Sequence, residues 1–261
     1  MSFHYTVALA SIALLLASCA QREEDNALVI GMELSYPPFE MSDESNHPTG
    51  ISVDLASALG KYLERPIRIK NISFQGLIPA LKTKKIDLVI SSMTATEERA
   101  QSIAFSDSYL DTGLCLLVSK NSSIQHIQDA DQPEYVIATK QGTTGHLYAA
   151  NHIRNARTLT FEKESSAVLE VVQGKVDAFI YDQMSTYRNW KRHPSTTRPI
   201  LKPFKKESWA IGLRQDDETL RRQVNAFLKA FRKRGGFEEL GERYLAEEKK
   251  AFQKRGDPFF F

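Results

Sequence analysis

The sequence predicts an α/β protein built as two lobes with a ligand cleft between them. Three observations point there. Apolar runs of strand length alternate with segments of helical period. A strand motif at Lys85–Ser91, preceded by a helix-like stretch, recurs at Lys175–Tyr181. The chain has 261 residues, enough for two cores of about 100 residues each. Helix, strand, helix, strand in that order implies a mostly parallel sheet with helical crossovers.

The elements follow in order. Ala27–Gly31 is an apolar run that reads as a buried strand. In residues 52–63, Leu55, Leu59 and Leu63 share one helical face, and Asp54 lies in the first turn, where a negative charge suits the helix dipole. Ile67–Lys70 alternates as a strand, and Phe74–Leu81 reads as a short helix that tolerates Pro79 near its start. Ile86–Ser91 is a further apolar strand. The helix-like stretches before the two repeat copies are Leu77–Leu81 and Ala167–Val172. The copies end in Ser91-Ser92 and Tyr181-Asp182. Ligands of open parallel sheets bind beyond the carboxyl ends of the strands, so two such ends face to face make an interlobe cleft.

Asn121–Lys140 opens the second lobe, with Val136–Ala138 as a strand. The loop Gln141–Gly145 follows, and its backbone N–H groups suit an anion at the start of a helix over 146–151. Residues 217–245 are helical, with Leu220, Val224, Phe227, Leu228 and Phe231 on one face and a break at Gly235-Gly236. The expected lobes are 27–110 plus 210–250, and 114–206. Crossovers lie at Tyr109–Gly113, where Gly113 offers backbone freedom, and at Glu207–Ala210. Residues 251–261 form a tail ending in Phe259-Phe260-Phe261, to which this reading gives no role.

The N-terminus is a separate segment. Thr6–Ala17 is almost wholly apolar or small, and at about 1.5 Å per residue it is too short for a bilayer core of about 30 Å. It reads as a signal peptide over 1–18 ending in Leu16-Ala17-Ser18-Cys19, which is similar to a bacterial lipobox with Cys19 as the acylated residue. Met1–Tyr5 departs from the pattern in having no Lys or Arg. Residues 19–26 are then a polar tether. The other cysteine, Cys115, sits in an apolar run and is expected as a buried thiol. The net charge of +2 is too small for nucleic-acid binding by field alone. No Cys/His cluster of metal spacing, G-x-S-x-G or P-loop is visible, and no cofactor is expected.

Five motifs then appear in order: Gly31–Glu40 (GMELSYPPFE), Gly50–Ala56 (GISVDLA), Phe74–Leu81 with Lys85–Leu88, Ser91–Arg99 (SSMTATEER) with Phe105–Tyr109, and Gln141–Gly145. In this combination the chain resembles the family 3 bacterial extracellular solute-binding proteins, the amino-acid receptors of ABC importers, over residues 27–245. The resemblance implies a type II periplasmic binding protein fold with two hinge crossovers. It implies a periplasmic or cell-envelope lipoprotein that hands a free amino acid to a membrane permease. It is not expected to be an enzyme, although dehydratases of aromatic-acid precursors are similar to this family and Glu33 would be their general acid. A monomer is expected.

The resemblance also assigns residues. Arg99 forks onto the ligand carboxylate, as a Lys could not, and Thr94 and Thr144 donate to the same group. Thr96 is expected instead as a helix N-cap, with Glu97 and Glu98 in the first turn. Asp182 and Ser92 take the ligand ammonium, with capping of a helix from Ser185 as the other role for Asp182. Tyr36 and Phe74 line the side-chain pocket, and Glu33 faces the tip of the ligand. Met93 and Gln141, neighbours in these motifs, complete the set. Lys140 matches a lysine of the glutamine-binding branch. If it points away, Glu33 suits a guanidinium and the ligand is arginine, the reading favoured here. If it neutralises Glu33, the ligand is glutamine.

Overall fold

The computed structural model describes residues 26–259. The signal peptide, most of the tether, Cys19 and the last two phenylalanines fall outside them. The main sheet has eight strands in the order β5-β1-β6-β11-β7-β10-β8-β9. β1 (Leu28–Met32) lies parallel to β5 (Ile67–Asn71) and β6 (Leu88–Val89). β8 (Val136–Lys140) lies parallel to β9 (Arg157–Phe161) and β10 (Ala178–Asp182). Between these triplets run two long antiparallel strands, β7 (Ala104–Ser119) and β11 (Thr197–Leu213). The order is palindromic, so the two lobes are copies of one plan meeting at the β7–β11 ladder.

Helices cover the sheet. α1 (Ile51–Tyr62) buries Leu55 and Leu59 as the periodicity predicts. α2 (Phe74–Lys82) carries Pro79, and α3 (Glu97–Ala100) is a single turn. α4 (Thr144–His152), α5 (Glu164–Val172) and α6 (Gln183–Arg192) belong to the second lobe. α7 (Glu218–Lys233) buries the five apolar residues the sequence marked, each contributing about 1.5–3 kcal/mol. Gly235, at φ 78°, separates it from α8 (Gly236–Arg255). A three-stranded sheet of β2 (Ser35–Tyr36), β3 (Glu40–Ser42) and β4 (Pro48–Thr49) caps the first lobe.

Three local expectations change. Only Leu88–Val89 of the predicted Ile86–Ser91 strand pairs as a strand. Beyond it Ser92 turns to φ 47°, which carries its hydroxyl out of the sheet toward Glu40. Gly113 is a site of close approach rather than of unusual φ. A Cβ there would meet the Lys205 carbonyl oxygen and Pro203 Cβ, both at 2.6 Å. α8 runs on to Arg255, so the expected tail boundary falls inside a helix. Its first half packs Leu240 and Leu245 into the first-lobe core. Its second half reaches α6, through Arg188–Glu248 at 2.8 Å and Phe252 against Tyr187. Phe259 then packs on Phe252, and Pro258 accepts from Gln183. Cys115 is a buried free thiol, as expected.

Candidate functional site

The strand carboxyl ends of both lobes face one cleft beside the β7–β11 ladder. Its lining includes Glu33, Tyr36, Phe74, Ser92, Thr94, Arg99, Thr144 and Asp182. Eight of the predicted residues therefore come together. Lys140 lies behind this surface, fully buried, and pairs with Glu33. Met93 does not line the cleft: it is buried in a first-lobe core cluster with Leu77 and Leu81. Gln141 is exposed, its N–H donating to the Phe161 carbonyl. A residue beside a site residue in sequence points to the opposite face of an extended chain, which accounts for Met93 beside Thr94.

Local chemistry positions the clamp. Thr96 caps α3, its hydroxyl accepting from the Arg99 N–H at 3.2 Å, with Glu97 and Glu98 in the first turn. This turn aims Arg99 inward. Its guanidinium donates to the Thr94 carbonyl at 2.7 Å and, across the cleft, to the Gly142 carbonyl at 2.9 Å. Burial lowers the Arg99 pKa to about 10, opposed chiefly by Glu207, so the guanidinium stays charged. Asp182 fills the capping role expected of it and lines the cleft. It caps α6 by accepting from the Ser185 N–H at 3.0 Å, and it accepts from the Tyr36 hydroxyl at 2.6 Å across the cleft. Burial raises it to about 7.

Glu33 has both oxygens engaged. Oε2 takes the Lys140 ammonium and Oε1 accepts from the Phe74 N–H at 3.2 Å. The Phe74 ring has Arg99 at 5.4 Å and Lys140 at 5.6 Å from its centroid. Tyr36 stacks on Phe39 at 5.3 Å and meets the edge of Trp209 at 6.1 Å.

Two buried acids of the site were missed by sequence reasoning. Glu40 accepts from Ser52 at 2.7 Å, Ser92 at 3.0 Å and Ser91 at 3.2 Å, and burial still raises it to about 8. It was visible only as the last residue of the first motif. Glu207 accepts from Thr144 at 2.8 Å and Thr94 at 3.1 Å; its one signal was a place in a predicted crossover. Tyr181 and Trp209 complete the wall.

Twin lobes on a shared ladder, with cations and carboxylates converging from both sides, define a two-lobed solute-binding protein. The chain belongs to the bacterial extracellular solute-binding proteins, family 3, whose model matches residues 28–247. It is 27% identical to the L-arginine-binding protein of Pseudomonas aeruginosa over 247 residues, 91% of this chain and 95% of that one. Among solved structures, the P235GK mutant of ArgBP from T. maritima superposes with a TM-score of 0.80 at 31% identity, covering 87% of this chain and 98% of that one. An ancestral arginine-binding protein bound to glutamine gives 0.78 at 30%, covering 84% and 98%. An ancestral arginine-binding protein bound to arginine gives the same values.

Proposed function

We propose that this chain is the receptor of an amino-acid importer and that it binds glutamine in the cleft. The observation that carries the specificity is the Lys140–Glu33 pair. An acid already neutralised by a buried ammonium is a poor sole partner for a guanidinium, whose burial requires an uncompensated negative charge. Glu33, which lines the cleft, still offers lone pairs to the N–H groups of a side-chain amide, a neutral group that brings no charge needing compensation. Arg99, Thr94 and Thr144 take the ligand carboxylate, Asp182 and Ser92 its ammonium, and Tyr36 and Phe74 flank the side chain. Bridging the lobes, the ligand favours their closure, which we place about Tyr109–Gly113 and Glu207–Ala210, between lobe 27–110 plus 210–250 and lobe 114–206. The lipobox-like Leu16–Cys19 supports acylation at Cys19 and anchoring beside a permease, as a monomer in the cell envelope.

Arginine is the second reading. It is favoured by the surplus of acids around the cleft (Glu33, Glu40, Asp182 and Glu207 against Arg99 and Lys140), and by the arginine-binding relatives. Calorimetry with glutamine, arginine, lysine and histidine separates the two. Glutamine is expected to bind at least tenfold tighter than arginine, about 1.4 kcal/mol, and Lys140→Met to reverse that order by freeing Glu33. Wild-type preference for arginine, unchanged in Lys140→Met, would establish the second reading. No binding of any amino acid would remove the receptor reading.

A further inference from the structure

Glu207 stands out among the cleft residues because nothing in the proposed ligand scheme uses it. It is 8% exposed and sits on β11 opposite Thr112 of β7, at the seam of the lobes. Its Oε2 accepts two hydroxyl hydrogen bonds, one from Thr94 of the first lobe and one from Thr144 at the start of α4 in the second. The Arg99 guanidinium and Lys205 supply the favourable charge around it. Arg99, Thr94 and Thr144 are the donors that the proposed function gives to the ligand carboxylate. Its Oε1 is buried and has no hydrogen-bond partner among the described residues.

We propose that Glu207 is an internal stand-in for the ligand carboxylate, competing for Arg99, Thr94 and Thr144, and so acts as a specificity-determining residue that weakens binding and excludes acidic ligands. The inference rests on the reading that an amino-acid carboxylate docks on Arg99. Two carboxylates sharing one set of donors repel in a medium of low dielectric constant. The ligand therefore enters by displacing Glu207 or by binding when Glu207 holds a proton. Burial pushes the Glu207 carboxyl up from its usual range, while the two threonine hydroxyls hold it down. In the protonated form an Oε1–H would donate to the incoming carboxylate. Glu33 is already paired with Lys140, and among the described residues no second cation beside Arg99 lines the cleft, so a further carboxylate, such as that of glutamate or aspartate, finds no partner there.

The test is calorimetry of full-length mature protein and its Glu207→Gln and Glu207→Ala variants with glutamine, arginine and glutamate at pH 7.5 and pH 5.5. Melting temperatures are read with and without amino acid. Glu207→Gln keeps the shape, removes the charge and supplies an N–H where Oε1 lies. It is expected to bind its preferred amino acid at least fivefold tighter at pH 7.5, with a smaller gain at pH 5.5, and to gain measurable glutamate binding. Without amino acid, both variants are expected to melt lower than wild type, because the interlobe hydroxyl bonds are weakened or lost. Unchanged or tenfold weaker binding in Glu207→Gln at pH 7.5 would overturn the inference; the second result would place Glu207 on a ligand cation. The receptor reading is judged separately, by wild type alone. If wild type is silent and Glu207→Gln binds, the inference stands and wild type is not a working receptor. Silence in both overturns both.

Discussion

The two lobes repeat one scaffold and reverse its charge. In the first, Ile30 of β1 pairs with Leu88 of β6; in the second, Ile137 of β8 pairs with Ala178 of β10. Asp87 accepts from the Val29 N–H at 3.0 Å, and Asp177 from the Val136 N–H at 2.9 Å. The return bonds, from the Asp87 and Asp177 N–H groups to the Val29 and Val136 carbonyls, are 2.7 and 2.8 Å. The repeated Lys-x-Asp thus pins each strand to its neighbour in one way. Counting on from these anchors, Glu33 and Lys140 occupy equivalent positions, and so do Ser92 and Asp182. The first equivalent pair is the ion pair across the cleft. The second is the pair assigned to the ligand ammonium. What differs is the peptide after the second strand. The first lobe turns at Ser92 and sends the chain to Arg99, while the second starts α6 directly on Asp182. A duplicated backbone therefore gives the cleft a positive end and a negative end, which is what a zwitterion requires.

Removing one charged end of the cleft at a time has the largest expected effect. Arg99→Lys and Asp182→Asn are each expected to weaken binding more than tenfold, about 1.4 kcal/mol or more. The cause differs: loss of a bidentate fork in one case and of the ammonium counter-charge in the other. Equal affinity to wild type in either would assign that residue to structure alone, Asp182 to its helix cap.

A second contrast separates the buried acids. Glu40 in the first lobe is raised to about 8 and Asp182 in the second to about 7. The folded protein holds protons that the unfolded chain has already released. Stability from these groups is therefore full below the ordinary carboxylate range and is lost as pH rises through about 7 and about 8. The wild-type melting temperature should fall between pH 6 and pH 9, and Glu40→Gln should flatten that fall. An identical slope in Glu40→Gln would show that Glu40 is ionised throughout.

The mildest test addresses the scaffold itself. Asp87→Ala and Asp177→Ala each leave a strand N–H without its acceptor, a loss of about 1–3 kcal/mol. Urea unfolding should show both. Asp87→Ala should lose slightly more, since Asp87 also pairs with Arg214 at 3.4 Å. Losses differing by several fold would mean the two anchors are alike in form only.

The repeat, the helix faces and the cap at Thr96 are legible in the sequence alone, and the resemblance to a known family implies that Arg99 and Asp182 meet in one cleft. Periodicity, capping and turn chemistry act over a few residues, so they are written in short segments. The tertiary structure alone decided the rest. It turned Met93 into the core and Gln141 to solvent, because alternation along an extended chain separates neighbours. It placed Lys140 on Glu33, 107 residues apart, and so shifted the proposed ligand from arginine to glutamine. It also buried Glu40 among three serines and Glu207 between two threonines. Whether a charge is neutralised, protonated or left to meet a ligand depends on which distant groups surround it once water is excluded, and no local pattern in the chain encodes that neighbourhood.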